Sequence, residues 1–420
     1  MSSHLERSAG ARFWWASVVL AWLGCGASSP PNPPSPPNTA PLTVRAIGGV
    51  QSFELTGANA VPEIPPWPYR RAGVTEALIS SSHSARCRLP QPLTTAPGYD
   101  FSAGGCHFLL TGGEESGPTP AELDRTPDWG RNYLGAFSAV EVGEDVFLVT
   151  HGENKNDRHA NGTVYVNTVN ADVGPECWSG YDADAGVWRE CWESYNAFLA
   201  LAVLRADGGV SDLGPVAWPA SGYVDDAGEK TSLGLRHPSS VVVGDQLYVY
   251  VQDESYDSEG IKVFRAPLQK LSDPLAFRGY DGDGGFTLPA LPAGFTAAKV
   301  RTFYGARVPA SAPLFDDPRF DSVRFSVAPI QGTAWYLGVE ERVNMDGEQL
   351  VLRRSDDLVH WSAPVVVPGV GAATWEDAPL NYPILVDAQG NVGPIDPSNF
   401  YVLGTHISSP TRVQLSVTLR

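Results

Sequence analysis

An all-β fold is predicted for residues 42–420 from three observations. Short β-branched and aromatic runs are bounded by Gly, Asp and Pro, no long stretch repeats apolar residues at helical spacing, and one hairpin pattern recurs along the chain. The composition agrees: the chain is rich in Gly, Pro, Trp and Tyr and poor in Met and Lys.

The recurring hairpin places Gly at the opening of a short turn between two apolar strands. It is read at residues 137–150 (FSAVEVGEDVFLVT), 239–251 (SSVVVGDQLYVYV) and 325–339 (FSVAPIQGTAWYLGV), and with a longer turn at 383–404. A returning strand follows each hairpin: residues 197–206, 261–268, 349–361 and 412–419. Hairpins with returning strands imply separate small sheets, and repeats of this size form a propeller in which each sheet packs its faces on its neighbours. A fifth unit is expected between Gly73 and Thr111, its pattern blurred by a cysteine loop. The expected architecture is therefore a five-bladed β-propeller of four-stranded antiparallel sheets. The last unit shows three strands, so residues 42–55 (LTVRAIGGVQSFEL) are expected to supply its outer strand and close the ring.

Ahead of this domain, residues 1–24 read as a signal peptide. Arg7 and Arg12 precede an apolar run over 13–23 that ends in Gly24-Cys25. A bilayer span needs roughly 20 apolar residues, and this run is about half as long. The small residue before Cys25 and the Gly26-Ala27-Ser28-Ser29 after it resemble the lipobox of bacterial lipoproteins, which implies lipidation of Cys25, although Trp22 stands where that pattern prefers Leu. An ordinary signal with a chance cysteine is the alternative. Residues 25–41 continue as a proline-rich linker that favours extended conformations and serves as a spacer. The expected location is the bacterial cell envelope, lipid-anchored at the outer membrane or cell surface.

Four further cysteines fall into two local pairs, Cys87 with Cys106 and Cys177 with Cys191. An oxidising compartment favours these as disulfides. Metal binding is the competing reading, but no CxxC or neighbouring His pair favours it. The formal charge, 29 − 47 = −18, argues against nucleic acid and anionic membrane surfaces as partners.

Residues 354–364 (RSDDLVHWSAP) resemble the S-x-D-L-x-x-W blade element of five-bladed propeller glycoside hydrolases, the arabinanase, xylosidase and invertase-like group. Residues 235–250 (LRHPSSVVVGDQLYVY) are similar to that group's R-D-P segment. The resemblance implies a central pocket where carboxylates act as base, acid and tuning group on a glycosidic bond, a chemistry that needs carboxyls on opposite sides of the bond. This chain departs from the group where His237 replaces the Asp of R-D-P and where Asn381-Tyr382 opens the last unit.

Candidate catalytic acids are Glu76, Glu153, Asp321 and Glu376, each also readable as a solvated loop carboxylate. Candidate substrate-binding residues are Arg236, His237, Asn381, Tyr382, His151 and Trp375. Arg236 supplies a donor fork suited to a carboxylate or vicinal hydroxyls, and His237 is either a ligand, a general acid or base, or a satisfied polar residue at a strand start. Asp281-Gly-Asp283 and Asp182-Ala-Asp184 have the spacing of a calcium loop but lack its downstream Glu, and turn chemistry accounts for them. There is no Gly-rich phosphate loop and no G-x-S-x-G turn, so no cofactor is expected. The functional expectation is a monomeric carbohydrate-binding propeller, an altered glycoside hydrolase if catalytic; the alternative is a noncatalytic, protein-binding scaffold.

Overall fold

In the computed structural model, the described residues are 42–57, 62–80, 83–102, 104–111, 133–155, 180–182, 187–189, 195–220, 234–254, 259–283, 285–297, 308–315, 317, 319–344, 347–374, 377–407 and 409–419. Residues 1–41, and with them the expected leader and Cys25, lie outside this set, as do Trp375, Glu376, Cys177 and Cys191.

Strand order defines five antiparallel blades. Blade 1 runs from its inner strand outward as Trp67–Arg71, Val74–Ser80, His83–Arg88 and Cys106–Thr111; blade 2 as Tyr133–Val142, Asp145–Lys155, Tyr195–Leu204 and Val210–Ala217. Blade 3 comprises Leu235–Val243, Gln246–Asp253, Gly260–Pro267 and Arg278–Tyr280, with an additional short edge strand, Phe286–Pro289, so this sheet has five strands where four were expected. Blade 4 is Asp321–Pro329, Tyr336–Asn344, Gly347–Ser355 and Val365–Val366. In blade 5, Asn381–Asp387, Phe400–His406 and Ser409–Leu419 are completed by Leu42–Ser52, paired antiparallel from Leu42 opposite Leu419 to Ser52 opposite Thr411. The ring thus closes through the first strand of the domain, as the sequence implied.

Local chemistry explains the hairpins. Gly143 and Gly244 take positive φ as the first of two turn residues, the position a II′ turn reserves for glycine, and Ala72-Gly73 are both positive, as a I′ turn requires. The hydrophobic layers lie between blades. Leu201, Val203, Val249 and Val251 join blades 2 and 3; Tyr250, Val263 and Phe325 join blades 3 and 4; Leu337, Val339, Leu385 and Val402 join blades 4 and 5. Arg412, buried on the closing blade, donates to the carbonyls of Leu93 (2.7 Å) and Ala96 (2.9 Å) in the long connection of blade 1.

Two further sequence expectations need correction. Blade 1 begins at Trp67, ahead of the expected Gly73, because its inner strand is only five residues long and carries Pro68. The segment 349–361 is not one strand: it stops at Ser355, and residues 356–361 form a corner. There Ser355 Oγ accepts from Leu358 N, Asp357 Oδ1 accepts from Val359 N and His360 N, and Trp361 Nε1 donates to Leu358 O. The Trp361 ring packs edge-on against Phe325 (4.7 Å between centroids). The most family-like motif in the chain is thus a structural corner of blade 4.

Cys87 and Cys106 form a disulfide, joining adjacent strands of blade 1. Asp281 Oδ1 accepts from Asp283 N and Gly285 N while Oδ2 accepts from Thr287 Oγ1, so its oxygens serve the turn.

Candidate functional site at the propeller axis

The inner strands of blades 2 to 5 share a local irregularity near their first residues. Register shifts fall between Ala136 and Ser138, Arg236 and Ser239, Ser322 and Arg324, and Asn381 and Ile384. A bulge re-aims the side chain it carries, and the residues held there are Phe137, His237, Val323 and Tyr382. With Ile64 from the segment leading into blade 1, the apolar members of this set form a compact cluster with Tyr133 at the axis. His237 completes the layer, its ring 4.8 Å from Tyr382 and 6.0 Å from Phe137 between centroids. His237 and Tyr382 hold φ of 51° and 57°, a left-handed backbone that non-glycine residues seldom adopt, and each is followed by proline. Such outliers concentrate at functional sites.

Inner strands have an edge with no strand beside it, and side chains from other blades satisfy it. Ser80 Oγ donates to Ala136 O and Ser84 Oγ accepts from Ala136 N (both 2.6 Å); Ser239 Oγ donates to Phe325 O. Arg324 reaches from blade 4 to the carbonyls of Phe137 and Pro238 (3.4 Å each) with its guanidinium over the Phe137 ring. Fully buried, it is pushed down to about 10, and its Nε and Nη1 have no partner among the described residues.

Around this layer stands a ring of carboxylates. Glu63, exposed at the entry to blade 1, accepts from Tyr133 OH (2.9 Å). Glu153 lies opposite Tyr133 on the neighbouring strand, with Oε1 3.3 Å from His151 Nε2. Glu254, just past the second strand of blade 3, receives Arg236 Nη1 at 3.1 and 3.2 Å; burial nevertheless raises its carboxyl above the ordinary range. Glu341 Oε2 accepts from Tyr382 N at 2.6 Å. Behind it, Glu348 is pushed up to about 9 by burial and then by Glu341. Burial, followed by the charges of Glu63 and Glu153, raises the Tyr133 phenol well above its usual value. The His237 imidazole is held well below its usual value by burial and then by Arg236 and Arg324.

The structure brings together Glu153, His151, Arg236, His237, Asn381 and Tyr382 of the sequence candidates. Glu76 is not among them: it lies beside the blade 1 turn, at the far end of the inner hairpin, where it accepts from Tyr69 OH (2.8 Å) and pairs with Arg71 and Arg86. Asp321 opens the inner strand of blade 4 and is exposed. Sequence reasoning missed Glu63, Tyr133, Glu254, Arg324 and Glu341. The position of Glu63 just before Ile64-Pro65 parallels His237-Pro238 and Tyr382-Pro383, a signal that could have found it. Among the described residues no group of His, Cys, Asp and Glu is arranged to hold a metal ion. A separate cavity of about 290 Å³ on blade 3, lined by Gln246, Arg265, Lys270, Arg278 and Phe286, lies apart from the axis.

No family model and no curated protein matches the chain. Among solved structures it is similar to Zg3597, a family 117 glycoside hydrolase of the marine bacterium Zobellia galactanivorans, at 8% identity over 90% of this chain and 91% of that one, TM-score 0.44. It is also similar to the catalytic domain of the Coprinopsis cinerea family 62 α-L-arabinofuranosidase (11%, 90% and 98%, TM-score 0.39) and to the family 43 glycoside hydrolase YxiA of Bacillus licheniformis (10%, 90% and 76%, TM-score 0.43). All three are glycoside hydrolases by name, the class the sequence motifs resemble. Likenesses this distant carry no argument about chemistry: the five-bladed ring is read from the strand order, and the reading of function rests on this chain's own side chains.

Proposed function

We propose that residues 42–420 form a carbohydrate-binding propeller whose ligand occupies the axial site, an altered relative of the propeller glycoside hydrolases. The observation that supports this most is the meeting, at one end of the axis, of aromatic rings with carboxylates and guanidinium groups: Tyr133, His237 and Tyr382 beside Glu63, Glu153, Arg236 and Glu254. Sugars need both, aromatic rings for their apolar faces and charged hydrogen-bonding groups for their hydroxyls. Where the family resemblance implies an Asp, this chain has His237, so binding without the family's ordinary hydrolysis is the expected behaviour. Trp375 and Glu376, which precede the inner strand of blade 5, belong to the same proposal as candidate contacts.

The test is a glycan-binding screen of the purified protein, repeated with Arg236→Ala and His237→Ala. A lost charged hydrogen bond costs roughly 1.5–3 kcal/mol and a neutral one roughly 0.5–1.5 kcal/mol, so Arg236→Ala should bind about tenfold or more weakly and His237→Ala up to about tenfold more weakly. Undiminished binding by both variants would put the ligand elsewhere. Binding to no glycan at all would favour the scaffold reading, for which the apolar closure of the axis by Ile64, Phe137, Val323 and Tyr382 is the supporting observation.

We propose further that the protein is a monomer exported to the cell envelope, lipidated at Cys25 and held off the membrane by the linker over 25–41. Cys25→Ala should abolish lipid labelling and sedimentation with membranes; unchanged fractionation removes the anchor from the account.

A further inference from the structure

His237 Nδ1 lies 2.9 Å from Gln252 Oε1 and 3.3 Å from the backbone carbonyl of Val323. Either orientation of the Gln252 amide is chemically possible, but a backbone carbonyl can only accept. Nδ1 is therefore the donor and carries the ring proton. With Arg236 and Arg324 beside it and burial acting in the same direction, the ring stays neutral, which leaves Nε2 as a bare lone pair. Nε2 makes no hydrogen bond among the described residues and is not one of the sealed, unpaired polar atoms of the interior. The ring cannot turn to exchange its nitrogens without losing both Nδ1 contacts, and it is flanked by Tyr382, Phe137 and His151.

Among the described residues, Glu63, Glu153, Glu254 and Glu341 stand around this layer with Arg236 and Arg324, and Arg236 is engaged by Glu254. A ligand that reaches His237 meets the Nε2 lone pair. A sugar hydroxyl answers this by donating, whereas a carboxylate or sulfate would set acceptor against acceptor at a cost of the order of a lost charged hydrogen bond.

We infer that His237 Nε2 is the specificity-determining acceptor of the axial site, receiving a hydroxyl proton from an uncharged glycan, and that acidic glycans are rejected there. The inference rests on the glycan-binding reading, which it deepens by naming the ligand class. His237→Asn is the informative variant. Asparagine tolerates the left-handed backbone of this position and keeps a donor near Nδ1, yet has nothing at Nε2.

The experiment has two arms on the full-length protein. In the first, nitrogen NMR of histidine-labelled protein, with His237 assigned by its loss in His237→Asn, should report a neutral ring protonated on Nδ1 at pH 7; protonation on Nε2, or an imidazolium, overturns the inference. In the second, wild type and His237→Asn are titrated with galactan and with polygalacturonate. Wild type should prefer galactan at least tenfold, and His237→Asn should lose that binding about tenfold while melting within a few degrees of wild type. Preference for polygalacturonate, or full galactan binding by the variant, overturns the specificity claim alone. If neither polymer nor any glycan of the screen binds, the glycan-binding reading fails and the specificity claim falls with it, whatever the ring's tautomer.

Discussion

At the scale of single residues, the axis is a place where ionisable groups sit in unusual states for identifiable reasons. Glu348 is the clearest. Its carboxyl, ordinarily near 4.5, is pushed up to about 9 because it is buried and because Glu341 lies beside it. A group that holds its proton more tightly folded than unfolded stabilises the fold fully below its unfolded value, and that stabilisation is lost as pH rises toward the folded value. The protein should therefore lose stability between about pH 4.5 and 9 through this residue. Glu348→Gln, which mimics the protonated acid at every pH, should flatten that decline in a series of melting curves. Parallel declines for wild type and variant would show that Glu348 is not the source. The other residue-scale lesson concerns Glu63, Glu254 and Glu341. None was legible as a site residue, since one precedes its strand, one follows its strand, and the third lies in Glu340-Glu341-Arg342, where sequence alone does not say which neighbour turns toward the next blade.

At the scale of elements, the hairpins were legible because a glycine turn between alternating strands has a short-range physical signature. The strand starts were legible only in blades 3 and 5. The inner strands of blades 2 to 5 are bulged near their first residues, and a single inserted residue reverses which side chains face the axis. Period-two reading from the turn backward fails across such a bulge: His237 and Tyr382, each followed by proline, were legible as strand openings at the axis, whereas Phe137, followed by Ser138, carried no such mark. The corner at 356–361 was read as strand for a related reason: Leu358, Val359 and Trp361 are apolar, but they cap the blade 3 and 4 core from a turn. That corner depends on Gly338, where a Cβ would fall 2.1 Å from Phe325 Cζ and 2.9 Å from Trp361 Cζ3. Gly338→Ala should destabilise the protein by about 1–3 kcal/mol through overpacking, seen as a lower denaturant midpoint. An unchanged midpoint would mean that the Phe325 and Trp361 pair is not held in the packing described.

At the scale of the whole molecule, the ring is held shut by a strand from its own beginning. Leu42–Ser52 contributes Leu42 to the layer between blades 4 and 5 and covers the outer edge of Ser409–Leu419, which would otherwise be an open template for association. Deleting residues 42–52 should lower the melting temperature or cause aggregation; a deletion variant that melts like the parent would show that closure does not depend on this strand. The ring in turn creates the site, because only closure brings the bulges of four separate blades, and Ile64 of the fifth, to one axis. Ligand placement therefore tests the account most directly. A crystal structure with the best glycan from the screen should show it at the axis, in contact with Arg236, His237 and Tyr382. Density for the sugar elsewhere, for instance in the blade 3 cavity lined by Arg265, Arg278 and Phe286, with the axis unchanged, would contradict it.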